Sequence, residues 1–395
     1  MADRGAVLVI NAGSSSIKYA VFDRGLEERT RGMVEICPEG GARPRAEAKR
    51  PPGGADGRCP AVPPGTALGH DEALAAILAR LHDQGLPLSA LSAAAHRVVH
   101  GGTRLTAPRR ITPGVLEEIR ACIPLAPLHN PHNLVAIEAL AGLAPDLPQF
   151  ASFDTAFHAT NPEVARRYAL PDQEDAAGIR RYGFHGLSYA GLARQLPEIS
   201  RSPLPRRLLA MHLGNGASLC AIAEGRSVAT TMGYSPLDGL TMGTRTGSID
   251  GNAVLRMVAR HGAARTGQIL NYESGLLALG GSADMRELAA SDSPRAVFAI
   301  EHFCHWALHH AGAMIMAMGG LDAVAFTGGI GENDAAVRQR IMAGLEWLGL
   351  AADGRANARG RARLHVEGSK VEAWIVPARE ELVIARDALA LLNRA

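Results

Sequence analysis

The chain has 395 residues, enough for two or three domains at roughly 150 residues each, with two the simpler count. Apolar residues make up 47% and charged residues 20%, and 41 basic against 39 acidic side chains leave +2, which argues against a nucleic-acid binder or a polybasic membrane protein. No apolar run approaches the roughly 18 residues of a membrane span, the start MADRGAVLVINAG does not read as a signal peptide, and five scattered cysteines (Cys37, Cys59, Cys122, Cys220, Cys304) argue against a disulfide framework or zinc knuckle and fit a cytoplasmic protein.

Val7–Ile10 and Ile17–Phe22 are apolar runs joined by the small-residue turn Asn11–Ser16, which predicts a strand–turn–strand unit opening the first domain. Lys18, one of three lysines, follows that turn. The Pro- and Gly-rich stretch Pro38–Gly65 reads as an irregular surface excursion with short edge strands before it. Asp71–His82 reads as a helix, because Leu74, Ile77, Leu78 and Leu81 recur at i, i+3, i+4 and i+7. Ala93–Val99 reads as a strand entering the Gly101–Gly102 loop. Pro127–Asn133 reads as a polar turn before a helix marked by Leu134, Ile137 and Leu140. Phe150–Phe153 reads as a strand ending at Asp154.

The opening pattern then returns. Arg207–Leu213 and Leu219–Ala223 flank the turn Gly214–Ser218, in which Asn215-Gly216 is a hairpin signal. Thr230–Asp250 is a long loop with few regular-structure signals, and loops of that length are usually functional or disordered. Its Met, Leu and Ile content predicts an ordered one. His302, His305 and His309 share a face of a predicted helix with His310 beside them; no acidic or Cys partner accompanies them, so packing or a subunit interface is expected rather than a metal site. Ala323–Phe326 reads as a strand, Thr327–Asn333 as a third glycine loop, and Ala335–Leu348 as a helix with Ile341, Met342, Leu345 and Leu348 in the core. Strands alternating with helices make the fold class α/β, and the repeated hairpin suggests two domains of shared plan.

No glycine loop completes a known fingerprint. Gly13–Lys18 lacks the second Gly and the hydroxyl residue of a Walker loop, and Gly214/Gly216 and Gly329/Gly331 lack the third glycine of a dinucleotide site. What they share is small residues at strand ends, where backbone N–H groups can approach an anion. Two such hairpins could grip a polyphosphate, with the third turn under a nucleoside.

The segments VLVINAGSSSIKYAVFD, HRVVHGG, LAPLHNPHN, FDTAFH, YGFHGLSY, HLGNGAS, TTMGYSPLDGLTMGTRTGSID, FTGGIGEN and EELVIARD resemble acetate kinase, in the family's order, over residues 7 to 387. The resemblance implies two duplicated actin-like (ribonuclease H-like) α/β domains with an active-site cleft between them: residues 1–154 plus a C-terminal helix 382–395, and residues 155–381. It implies ATP-dependent, reversible phosphorylation of acetate to acetyl phosphate by direct in-line transfer, with Mg²⁺ or Mn²⁺, in a homodimer. A propionate or butyrate kinase of the same family is the alternative, or, in a different class, a non-catalytic actin-like nucleotide-binding protein.

Residue by residue, the resemblance places Arg97, Asp154, His185 and Arg245 as catalytic, and Val99, Leu128, Phe184 and Pro236 with Arg97 at the acyl substrate. It places Ser14, Ser16, Lys18, His212, Gly214, Asn215 and Gly216 at phosphate. Asp284, Met285, Arg286, Gly329, Ile330, Gly331 and Asn333 match nucleoside segments, Asn11 and Glu380 the metal, and His129 a further site histidine. The chain departs from the family pattern at Arg379 (usually Asn), Met285 (usually Phe), Gly328 (usually Ala) and Thr246 (usually small or Cys). A carboxylate acceptor is already ionised, so it needs no base; arginine forks suit its approach to a polyphosphate. Asp154 is therefore expected to orient an arginine or a metal-bound water.

Overall fold

Two apolar segments joined by a turn too short for a crossover must pair antiparallel. In the computed structural model β1 (Ala6–Ala12) and β2 (Ser16–Phe22) do so, in register from Val7↔Phe22 to Ala12↔Ile17. The described residues are 5–13, 15–36 and 69–394; Ser14 and the Pro38–Gly65 segment lie outside them. The chain divides into two units, one running to Phe153 and resuming at Glu381, the other Asp154–Glu380.

In the first unit β3 (Glu28–Glu35) is an edge strand on β2, and β4 (Leu91–Val98) runs parallel to β1. Beyond it β6 (Gln149–Phe153) runs parallel to β4, and β5 (Arg109–Arg110) closes the far edge. The order is β3-β2-β1-β4-β6-β5. In the second unit β7 (Arg207–Leu213), β8 (Ala217–Ala223), β9 (Arg226–Thr230), β10 (Ala323–Thr327) and β11 (Glu372–Ile375) are ordered β11-β10-β7-β8-β9. Two antiparallel pairings followed by two parallel ones recur, so five strands of each sheet follow one plan. The expected duplicated actin-like α/β fold is present in each unit.

Period-two alternation decides what each strand presents. Leu8, Ile10, Ala12, Ile17, Tyr19 and Val21 enter a core with Leu74, Ile77 and Leu81 of the helix His70–Asp83. Asn11 and Lys18, paired directly across β1 and β2, therefore share the other face. In the second unit Leu208, Ala210, Cys220 and Ile222 enter a core with Tyr189, Leu192 and Leu196 of the helix Gly186–Ser200.

Three boundaries differ from the sequence reading. The helix expected after Asn133 begins at Asn130 and runs to Leu143; Pro131 is tolerated in its first turn because no helical acceptor awaits its nitrogen there. Gly328–Asn333 is a short helix rather than a loop. The following helix stops at Ala343, and a separate 3₁₀ turn, Glu346–Leu348, leaves Trp347 exposed, although Ile341, Met342 and Leu345 are buried as expected. The 231–250 segment has neither helix nor strand, yet Met232, Leu240 and Met242 anchor it. No helix among the described residues is long and apolar enough to cross a membrane.

Candidate active site

In the first unit the turn between β1 and β2 is closed by Gly13 N–H donating to the Ser16 carbonyl at 2.9 Å. Lys18 is exposed and Ser16 half-buried beside it; Ser14 lies outside the described residues. Arg97, near the end of β4, donates from Nη1 to Asn11 Oδ1 at 3.3 Å. The parallel register that pairs Ile10 with His96 brings these side chains together one position later. His96, on the opposite face, bonds Gln149 Oε1 at 2.7 Å, and burial pushes its pKa down to about 4.

The segment after β4 is held by two buried asparagines that sequence reasoning left without a role. Asn133 Oδ1 accepts from Val99 N–H at 3.1 Å and its amide donates to the Ala12 carbonyl at 2.9 Å. Asn130 exchanges two bonds with His100, through N–H at 3.1 Å and C=O at 3.0 Å. Asn133 thus ties the Val99 backbone to the β1–β2 hairpin, and Asn130 ties His100 to the Ile119 carbonyl at 3.3 Å. Val99 is buried, while Leu128 is 45% exposed; His129 is the N-cap residue of this helix.

In the second unit Asp154 is 1% exposed, and its carbonyl accepts Gly186 N–H at 2.9 Å. A side chain on Gly186 would lie 2.2 Å from that carbonyl oxygen, so glycine is required where the His185 turn meets Asp154. His185 adopts the left-handed backbone conformation (φ +57°). That costs a non-glycine residue roughly 1–3 kcal/mol and tends to persist at functional sites. His158, of the FDTAFH segment, latches the same turn. Its Nε2 donates to the Phe184 carbonyl at 2.9 Å, its Nδ1 meets Ser227 Oγ at 2.8 Å, and burial lowers its pKa to about 4.

Several of the expected groups converge here. The rings of His185 and His212 stack with centroids 4.1 Å apart. A Cβ on Gly216 would lie 3.4 Å from His185 Nε2 and 3.9 Å from Arg245 Nη1. One on Gly214 would lie 3.8 Å from both His212 Nε2 and the Gly329 nitrogen. The glycines of the hairpin Gly214–Gly216 therefore face two imidazoles, a guanidinium and the start of the Gly328–Asn333 helix. Arg245 is steadied by the Pro236 carbonyl at 3.4 Å. Asn215 accepts Gly243 N–H through its backbone at 2.9 Å. Phe184 is buried and Pro236 half-buried.

The nucleoside segments are less uniform. Asp284 caps a short helix through Arg286 N–H and pairs with the Arg286 guanidinium at 2.6 Å, whereas the Met285 side chain is buried, 3% exposed. Gly329 and Asn333 are exposed, Ile330 is half-buried and Gly331 buried. Gly328 has φ +80°, and a Cβ there would lie 2.8 Å from the Leu213 carbonyl oxygen, so this backbone calls for glycine. Glu332 Oε1 accepts from Gly328 N–H and Ala378 N–H, both at 2.9 Å, joining this helix to the strand end that leads to Glu380. Arg338, 1% exposed, holds the Gly331 carbonyl at 2.9 Å and Asn357 Oδ1 at 2.8 Å. The histidines of the long helix pack: Trp306 Nε1–H donates to His302 Nε2 at 3.1 Å, and His302 Nδ1 meets Thr241 Oγ1 at 3.0 Å. Cys122, Cys220 and Cys304 are buried free thiols.

Duplicated sheets and a glycine hairpin faced by two imidazoles and a guanidinium belong here to a phosphotransferase of the kinase class. The chain belongs to the acetokinase family, whose model matches residues 6–386. It is 45% identical to an acetate kinase of Rhodopseudomonas palustris, over 96% of each chain, and 44% identical to one of Streptomyces griseus, over 98% and 96%. The structure superposes on an acetate kinase of Porphyromonas gingivalis with a TM-score of 0.85 and 34% identity, covering 98% of this chain and 100% of that one. A propionate kinase of Francisella tularensis gives the same TM-score and identity, covering 97% and 98%.

Proposed function

We propose that the chain catalyses the ATP-dependent, reversible phosphorylation of acetate to acetyl phosphate by direct in-line transfer. The observation that carries this reading is the convergence of His185, Arg245 and His212 on the glycines of the hairpin Gly214–Gly216, in a chain 45% identical to an acetate kinase. The reading takes acetate rather than propionate as the substrate because the curated relatives at 42–45% identity are acetate kinases.

Acetate arrives ionised, so the difficulty is charge rather than basicity. Arg97 and Arg245 offer planar forks to carboxylate and phosphoryl oxygens. His185 donates from Nε2 to an oxygen of the transferring group, where charge accumulates in the transition state. Asp154 orients a cationic group. Gly214–Gly216, with Ser16 and Lys18 of the first hairpin, receives phosphate through N–H groups and the ammonium. Gly329–Gly331 and Asn333 with Asp284 and Arg286 support the nucleoside. Val99, Phe184 and Pro236 bound the acyl chain.

The donors suit a hard divalent cation. Asn11 supplies an amide oxygen and Glu380 a carboxylate, and among the described residues no three His, Cys, Asp or Glu side chains form a cage. Mg²⁺ keeps several waters and leans on substrate phosphates, so few protein donors are needed. Asn11 and Glu380 would hold Mg²⁺, with Mn²⁺ able to substitute, and the ion would offset phosphate charge. A cytoplasmic homodimer, as the family resemblance implies, completes the reading. The test is ADP release with ATP and Mg²⁺, with and without acetate: release only with acetate supports the kinase, and nucleotide binding without acetate-dependent turnover would overturn it.

A further inference from the structure

Ser218 ends the glycine turn, where its hydroxyl looks like one more phosphate donor. It is instead fully buried, because the two-residue period puts it on the core face with Cys220 and Ile222. There it touches two groups. Its Oγ lies 2.9 Å from His185 Nδ1 and in a short hydrogen bond with Tyr189 Oη.

Proton accounting gives this chain a direction. The Tyr189 hydroxyl bonds Ser218 Oγ, and a hydroxyl can donate one proton. Tyr189 is fully buried, and its own O–H needs an acceptor. If it accepted from Ser218 instead of donating, that proton would be stranded in a buried site with no other acceptor among the described residues. The economical arrangement is Tyr189 O–H donating to Ser218 Oγ and Ser218 O–H donating to His185 Nδ1. Nδ1 then accepts, so the ring proton sits on Nε2. That nitrogen faces the space above Gly216, next to Arg245 Nη1. Stacking on His212 stops the ring from turning away.

We propose that Ser218 and Tyr189 are positioning residues for phosphoryl transfer: a one-way hydrogen-bond chain fixes His185 as its Nε2–H tautomer, with the donor aimed at the transferring group. This rests on the kinase reading for its functional meaning, but the tautomer itself does not. A histidine with the proton on Nδ1 would present a lone pair to a phosphoryl oxygen and repel it.

The experiment is ¹⁵N NMR of the full-length protein labelled at histidine, with His185 assigned by its loss in His185→Asn. The expected spectrum shows a pyrrole-type Nε2 and a pyridine-type Nδ1 at neutral pH. A protonated Nδ1 in the wild-type protein overturns the proposal, and that result needs no variant to fold. Ser218→Ala should shift both nitrogens toward averaged values and lower kcat by about 10–100-fold, with KM for ATP and acetate held within about threefold. Tyr189→Phe should give a smaller loss of the same kind. An unchanged tautomer and kcat in folded Ser218→Ala also overturns it. Failure of acetate-dependent turnover in the wild-type protein would instead sink the kinase reading and leave the tautomer result standing.

Discussion

His185 Nε2 and Gly216 stand so close that a single added methyl carbon would lie 3.4 Å from the nitrogen. That distance is ordinary van der Waals contact, so alanine fits the fold there but covers the donor. Gly216→Ala should keep its thermal stability within about 1 kcal/mol of the parent, since no clash is created. Its kcat/KM should fall on the order of 10²-fold, the loss typical of one transition-state donor. Thermal melts beside steady-state kinetics check this. A large melting shift would mean that the glycine serves the fold rather than the site.

Arg97 Nη1 donates to Asn11 Oδ1 at 3.3 Å, and Arg245 Nη1 donates to the Pro236 carbonyl at 3.4 Å. Arg97→Ala and Arg245→Ala should each lose on the order of 10²–10³ in kcat. Lysine at either position keeps the charge but not the fork and should recover only part of the loss. An effect confined to KM would reassign that arginine to ground-state binding.

Much of this was legible in the residues. The hairpins β1–β2 and β7–β8 were readable because unbroken apolar runs flank turns of Gly, Ser and Asn. The start of the helix at Asn130 was not, because Asn130 and Asn133 look like turn residues until their amides are seen satisfying the backbone at Ala12, Val99 and His100. The helix Gly328–Asn333 was hidden by its three glycines, which have poor helix propensity and are held by the Glu332 carboxylate and Arg338. The inward orientation of Ser218 was available from strand parity. The bond from His158 to the Phe184 carbonyl was not, since nothing local links residues so far apart in sequence.

Val99 is buried at the end of the segment that carries Arg97. If it bounds the acyl chain, Val99→Ala should raise kcat/KM for propionate relative to acetate by roughly 10-fold or more, because one methylene is worth about 1–3 kcal/mol. Competition between the two acids in one reaction measures the ratio directly. No gain on propionate would remove Val99 from the substrate site.

His96 in the first unit and His158 in the second have pKa values pushed by burial from 6.5 to about 4. The folded chain keeps both neutral while the unfolded chain protonates them. Stability is therefore full above pH 6.5 and is lost as pH falls toward 4. Between pH 7 and pH 5 each should cost the fold about 2 kcal/mol. Denaturant unfolding at the two pH values gives the loss, and NMR titration should find both rings still neutral at pH 5. A ring that titrates near 6.5 would contradict its assignment as a buried neutral group.

The central claim is that this chain moves a phosphoryl group from ATP to acetate. The most direct measurement is to incubate the purified full-length protein with ATP, Mg²⁺, acetate and hydroxylamine and to quantify acyl hydroxamate and ADP together. The account predicts acetyl hydroxamate in one-to-one ratio with ADP, dependent on acetate and abolished in Arg245→Ala. ADP formed without hydroxamate, or no acetate dependence at all, would contradict it.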